Sequence, residues 1–160
     1  MQFSGAPLIA VATGIVGSAW VSGALVSFSV VSVPAAKAVP QTTAQVWSEL
    51  YARGSNMMPK VASVVALSYA YVAYSVSARG GSWAGFAAAS ASVLSIIPFT
   101  LTCMSSTNAA LHKAAASASD APHAASVPDL IDTWSRMNLA RGLLPLVGTI
   151  LGFSAFLNNA

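Results

Sequence analysis

Residues 8–31 contain no charged side chain. A run of about 24 such residues is long enough to cross a hydrocarbon core of about 30 Å at about 1.5 Å per helical residue. The rest of the chain agrees: only 7% of the 160 residues are charged, while 56% are hydrophobic. A soluble domain carries about 25% charged residues, so this chain has too few to coat a water-facing surface. That excludes a soluble globular enzyme, a disordered chain and a collagenous one. A single-domain, all-α integral membrane protein is expected.

The net charge of +3 comes from scattered Lys and Arg. With no basic stripe to neutralise phosphates, no nucleic-acid partner is expected. Cys103 is the only cysteine and cannot form an internal disulfide. Ala36-Lys37-Ala38 resembles a signal cleavage site, but the apolar run before it exceeds the roughly 7–15 residues of a signal h-region, so a retained anchor is expected.

Spans are expected at about 8–31, 61–78, 84–102 and 142–157, packed as a four-helix bundle. In the first, Gly14, Gly17, Ser18, Ser22 and Gly23 recur at helical spacing and let another helix come close; such faces also allow a homo-oligomer. Pro34 and Pro40 should end that span. Residues 42–53 read as a short amphipathic helix at the membrane interface, capped by Thr42 or Thr43 and closed by Gly54. Its apolar face is Val46, Trp47, Leu50 and Tyr51. Pro98 should bend the third span and free the Leu94 carbonyl. Residues 113–127 lack a period and read as a flexible connector, after which Pro128 can start the last helix. Lys37, Arg53, Lys60, Lys113, Arg136 and Arg141 fall on one side and Arg79 on the other, which orients the two long connections to the cytoplasm.

The chemistry-bearing residues lie in two stretches. If the region after Pro98 is helical, Asn108 and His112 share a face, with Met104 one turn earlier. Trp134, Asn138 and Arg141 follow at helical spacing, and Asp132 is placed to pair with Arg136. Each has a plainer reading. Arg141 can anchor to lipid phosphate, His112 can be an ordinary helix-end residue, Asn108 can tie helices together, and Trp47, Tyr51 and Trp134 can form an aromatic belt. No metal site has recognised ligand spacing, although Cys103 with Met104, Met57 and Met58 would suit copper. No phosphate loop, nucleophile elbow or haem attachment pair is present.

Two motifs carry a resemblance. The run Ile97-Pro98-Phe99-Thr100-Leu101, Met104, Thr107-Asn108 and Leu111 resembles the signature of the fungal anthrone oxygenases, small tetraspan membrane proteins. Trp134, Asn138, Arg141-Gly142-Leu143, Pro145-Leu146 and Gly148 match a second signature at the expected distance. Trp47, Tyr51, Gly54 and Pro59 form a looser third. Ser105-Ser106 departs from the pattern, which has a proline beside the threonine. The resemblance implies an O2-dependent oxidoreductase of aromatic polyketide biosynthesis that converts an anthrone to an anthraquinone, with no flavin or haem. An endoplasmic-reticulum or related endomembrane location is expected.

Substrate chemistry suggests roles. An anthrone is a carbon acid, so a base near its central methylene starts the reaction, and imidazole exchanges protons near neutral pH. His112 is therefore the expected base, Arg141 and Asn138 the groups that stabilise the enolate oxygen, and Asn108 an orienting residue. Trp47, Tyr51, Phe99, Thr107 and Trp134 are expected to line the substrate pocket. A non-enzymatic scaffold or transport accessory and a copper-assisted oxidase are the alternatives.

Overall fold

The computed structural model describes residues 3–117 and 126–160, and all of its regular elements are helical. Helix α1 (Gly5–Ser27) runs through a π-helical turn, Phe28–Ser32, into α2 (Val33–Lys37). A short 3-10 turn, Pro40–Thr42, leads to α3 (Thr43–Ser77). Then follow α4 (Ala84–Leu94), α5 (Ile96–Cys103), α6 (Ser105–Ala116) and α7 (Val127–Asn159). Among the described residues, three helical segments are long and apolar enough to cross a membrane: Gly5–Lys37, Ala84–Cys103 and Val127–Asn159.

The packing is inside-out. Ile9, Val16, Leu67 and Ile150 are more than half exposed, whereas Ser18, Ser22, Ser29 and Asn138 are buried. Large aliphatics outside and hydroxyls inside suit a lipid surround, where close backbone approach and hydrogen bonds associate helices. α1 and α4 each pack against both α3 and α7. At their centre lies the fully buried Tyr69, whose hydroxyl is 3.1 Å from Ser18 Oγ, itself 2.9 Å from Thr149 Oγ1. Gly14 and Gly152 admit that ring: a Cβ on Gly14 would stand 2.7 Å from Tyr69 Cε1, and one on Gly152 would collide with the phenol. Of the small-residue stripe, Gly23 lies outside this interface.

Several boundaries differ from expectation, each for a local reason. Pro34 does not end the first helix. The wider π-turn before it relieves the clash its ring would make with the carbonyl four residues back, and the helix continues to Lys37. The interfacial helix and second span are one helix, α3. Gly54 costs only about 1 kcal/mol in a helix interior, and there a Cβ would stand 3.7 Å from the Phe28 ring. Neither threonine caps α3; Thr43 Oγ1 donates back to the Ala36 carbonyl at 3.1 Å. The third span is interrupted at Ser95, just ahead of Pro98. Ser105-Ser106 forms the first turn of α6, a position a proline would also suit.

The expected connector is helical up to Ala116, and α7 begins at Val127; residues 118–125 of it, with Asp120, Pro122 and His123, lie outside the described residues. Asp132 pairs not with Arg136 but with Lys37, at 2.7 Å across to α2. Pro145 lies within α7, where two neighbouring carbonyls accept from other helices: Ser22 donates to Gly142 O at 2.8 Å and Ser92 to Leu144 O at 2.7 Å.

Candidate active site

Two apolar clusters divide the interior. One surrounds Tyr69; the other joins Val33, Trp47, Met104, Leu111, Ile131 and Trp134. Between them opens a cavity of about 190 Å³. Its apolar wall includes Leu25 and Phe28 from the first helix, Met58 and Pro59 from α3, and Ile96, Ile97 and Leu101 from α5. Its polar groups are Tyr51, Ser55, Thr100 and Arg141, with Trp134 beside them. Of the lining residues, Leu101 on α5 and Ser55 on α3 are exposed.

Arg141 is held in a fixed pose. Nη1 donates to Thr100 Oγ1 at 2.8 Å, and Nη2 donates to Asn138 Oδ1. Thr100 is fixed in turn by donating to the Ile96 carbonyl at 2.7 Å. The planar guanidinium presents several donors in a rigid fork, so two anchors set its orientation. Asn138 is fully buried, and its Nδ2 donates to the Leu25 carbonyl at 2.6 Å and to Ser29 Oγ at 2.8 Å. Ser29 lies in the π-turn and donates to the Ser135 carbonyl at 3.0 Å. Both amide hydrogens of Asn138 are thus committed to the first helix. Where Asn138 was expected to donate to the enolate oxygen, its donors face the first helix and its oxygen accepts from Arg141.

The second group is aromatic. Tyr51 stacks on Trp47 with centroids 5.1 Å apart, and Trp134 meets Trp47 edge-on at 5.9 Å. His112 meets the Trp47 and Tyr51 rings edge-on, at 5.0 and 5.1 Å. Asn108 is buried, and its Nδ2 donates to the Tyr51 hydroxyl at 3.3 Å. The helical spacing of Asn108 and His112 therefore does bring both against Tyr51.

Of the expected residues, Tyr51, Trp134 and Arg141 line the cavity. His112 does not: its side chain is exposed, with Nδ1 3.5 Å from Ser48 Oγ. The rings of Trp47 and Tyr51 stand beside it, so the expected base is not on the cavity wall. Trp47 is buried in the second cluster rather than at a belt position, Phe99 packs against that cluster, and the half-buried Thr107 is also off the cavity. Reading the sequence missed Thr100, although it lies within the quoted motif, and Ser29, whose role depends on a π-turn that carries no sequence signal.

Four buried side-chain atoms among the described residues have no hydrogen-bond partner within the protein: Trp47 Nε1, Asn108 Oδ1, Trp134 Nε1 and Arg141 Nε. All four belong to residues that line the cavity or touch Tyr51. Unmet buried polar groups cost about 1–3 kcal/mol each, and these four are gathered around Tyr51 and the cavity. No three His, Cys, Asp or Glu side chains converge among the described residues. The soft donors are dispersed as well: Cys103 and Met57 are exposed, Met58 belongs to the first cluster and Met104 to the second.

Residues 47–151 match a family model described as anthrone oxygenase. Anthrone oxygenase tpcL of Aspergillus fumigatus is 31% identical, over 95% of this chain and 96% of its own. Anthrone oxygenase AgnL2 of Paecilomyces divaricatus is 35% identical, over 88% and 91%. A noranthrone monooxygenase of Aspergillus flavus is 27% identical, over 92% and 71%. No solved structure matches.

Proposed function

The chain belongs to the anthrone oxygenase family, and from that premise we propose that it is a membrane-bound oxidoreductase converting an anthrone to an anthraquinone with molecular oxygen. The observation that carries the site assignment is the cavity whose polar wall holds Arg141, fixed by Thr100 and Asn138. Loss of a methylene proton turns an anthrone into an aromatic anthranolate with its charge on the former carbonyl oxygen. A preorganised guanidinium in a low-dielectric cavity stabilises that oxygen without reorganising during the reaction. The unpartnered Arg141 Nε and Trp134 Nε1 are further donors for substrate oxygens.

The anthranolate is electron-rich enough to pass one electron to triplet oxygen, which removes the spin barrier. Recombination gives a hydroperoxide at the former methylene, and loss of water gives the quinone. In this scheme the substrate supplies the reducing power, so no metal, flavin or haem is required. The protein excludes water and keeps the radical pair from dimerising with a second anthrone.

A greasy tricyclic substrate reaches the cavity from the bilayer through a mouth beside Leu101. The second half of α3 crosses the membrane along with the three longer apolar segments, giving a four-helix bundle with both termini on one side. An endoplasmic-reticulum or related endomembrane supplies that bilayer. Labelling with 18O2 tests the chemistry: the quinone formed by the purified full chain should carry one labelled oxygen. A quinone with unlabelled new oxygen would point to a hydroxylation by water and end this scheme.

A further inference from the structure

The reaction needs a proton acceptor at the cavity, and the side chains there leave few choices. Among the described residues, the lining holds no His, Asp, Glu, Lys or Cys; its ionisable groups there are Tyr51 and Arg141. A guanidinium keeps its proton and has no acceptor atom, and the Ser55 and Thr100 hydroxyls are far weaker acids than a phenol. Resting on the anthrone oxygenase reading, we propose that the Tyr51 phenolic oxygen is the catalytic proton carrier of this enzyme, taking protons from the substrate methylene and returning them to the peroxide.

The surroundings of Tyr51 suit that role. Asn108 Nδ2 donates to its oxygen at 3.3 Å from α6. Arg141 on α7 lines the same cavity. The His112 ring stands edge-on to it from α6, and Trp47 stacks on its face, so the ring is clamped where it lines the cavity. One amide donor and one cation are the groups that stabilise a phenolate.

The cycle closes on this one residue. The Tyr51 phenolate takes a methylene proton, and the C–H electron pair passes into the ring system to give the anthranolate. The anthranolate gives one electron to O2; the resulting radical and superoxide combine, forming the C–O bond of a peroxide anion. Tyr51 O–H returns its proton to that peroxide. Tyr51 then removes the remaining hydrogen from the same carbon, and the C=O bond forms as the O–O bond breaks. The departing hydroxide takes the proton from Tyr51 and leaves as water. Anthrone and O2 are consumed, anthraquinone and water are produced, and no proton has to cross the apolar wall.

The test is Tyr51→Phe in the detergent-purified full chain, which keeps the ring on Trp47 and removes only the oxygen. Circular dichroism and equilibrium binding of the anthraquinone product report fold and site integrity. The expected result is a fall in kcat of about 10²–10⁴-fold with KM little changed. Activity should recover toward wild type at alkaline pH, where the anthrone ionises in solution and needs no protein base. A Y51F enzyme turning over close to wild type at neutral pH overturns the assignment. So does an equal loss at neutral and alkaline pH, which would mark a positional role, or a loss in His112→Ala while Y51F stays active. Failure of the wild-type chain to accelerate quinone formation would instead overturn the anthrone oxygenase reading, and the Tyr51 assignment with it.

Discussion

Asn138 offers Arg141 only its amide oxygen, because both hydrogens of its Nδ2 are held by the Leu25 carbonyl and Ser29 Oγ. The cation of the site is thereby tied, through one buried amide, to the π-turn of the first helix. π-turns inside α-helices occur often at functional sites. Here the turn places Ser29 toward α7 and Phe28 on the cavity wall.

Replacing Asn138 with Ala removes this tie and takes the acceptor from one Arg141 hydrogen. The expected cost is about 1–3 kcal/mol, seen as a lower midpoint of thermal unfolding in detergent, together with reduced kcat. Ser29→Ala removes one of the two bonds to Nδ2 and should show a smaller version of both effects.

Arg141→Lys keeps the charge and loses the fork. A lysine ammonium cannot bond Thr100 and Asn138 while aiming at a substrate oxygen in the same plane. Steady-state kinetics should show kcat reduced by about 10²–10³-fold, as expected when an oxyanion donor is lost. Wild-type kinetics in R141K would mean that only charge matters at this position.

The mouth of the cavity can be narrowed without touching its polar wall. Leu101 is exposed and lines the cavity. Leu101→Trp should raise KM for an anthrone with little change in kcat, and the effect should grow with substrate bulk. Equal effects on small and large anthrones would place the entrance elsewhere.

Tyr69 gives a stability test separate from the site. Gly152→Ala places a methyl against its phenol and should displace the ring from Ser18. Overpacking of this kind costs about 1–3 kcal/mol, so thermal unfolding should fall while KM holds. An unchanged melting temperature would mean that the ring shifts freely. By contrast, Lys37→Ala breaks an exposed pair with Asp132 and should cost no more than about 1 kcal/mol.

Much of this was legible in the sequence. The scarcity of charge required apolar helices, and helical spacing placed Asn108 with His112 and Trp134 with Asn138 and Arg141 on common faces. What spacing could not show was which neighbour each polar atom meets. Asn138 was expected to face substrate, yet its donors are consumed by α1, a contact between residues far apart in the chain. His112 was favoured for its chemistry, whereas burial decides access to the cavity, and its exposed ring does not line it. The π-turn ahead of Pro34 and the passage of α3 through Gly54 are not marked by local propensity.

The central claim is tested most directly by oxygen uptake and quinone formation with emodin anthrone, comparing detergent-purified wild-type protein with Arg141→Ala after subtraction of air oxidation, with and without a strong chelator. The account predicts accelerated, stoichiometric uptake that survives chelation and is lost in Arg141→Ala. Wild-type protein no faster than air oxidation, or an Arg141→Ala variant as fast as wild type, would contradict it.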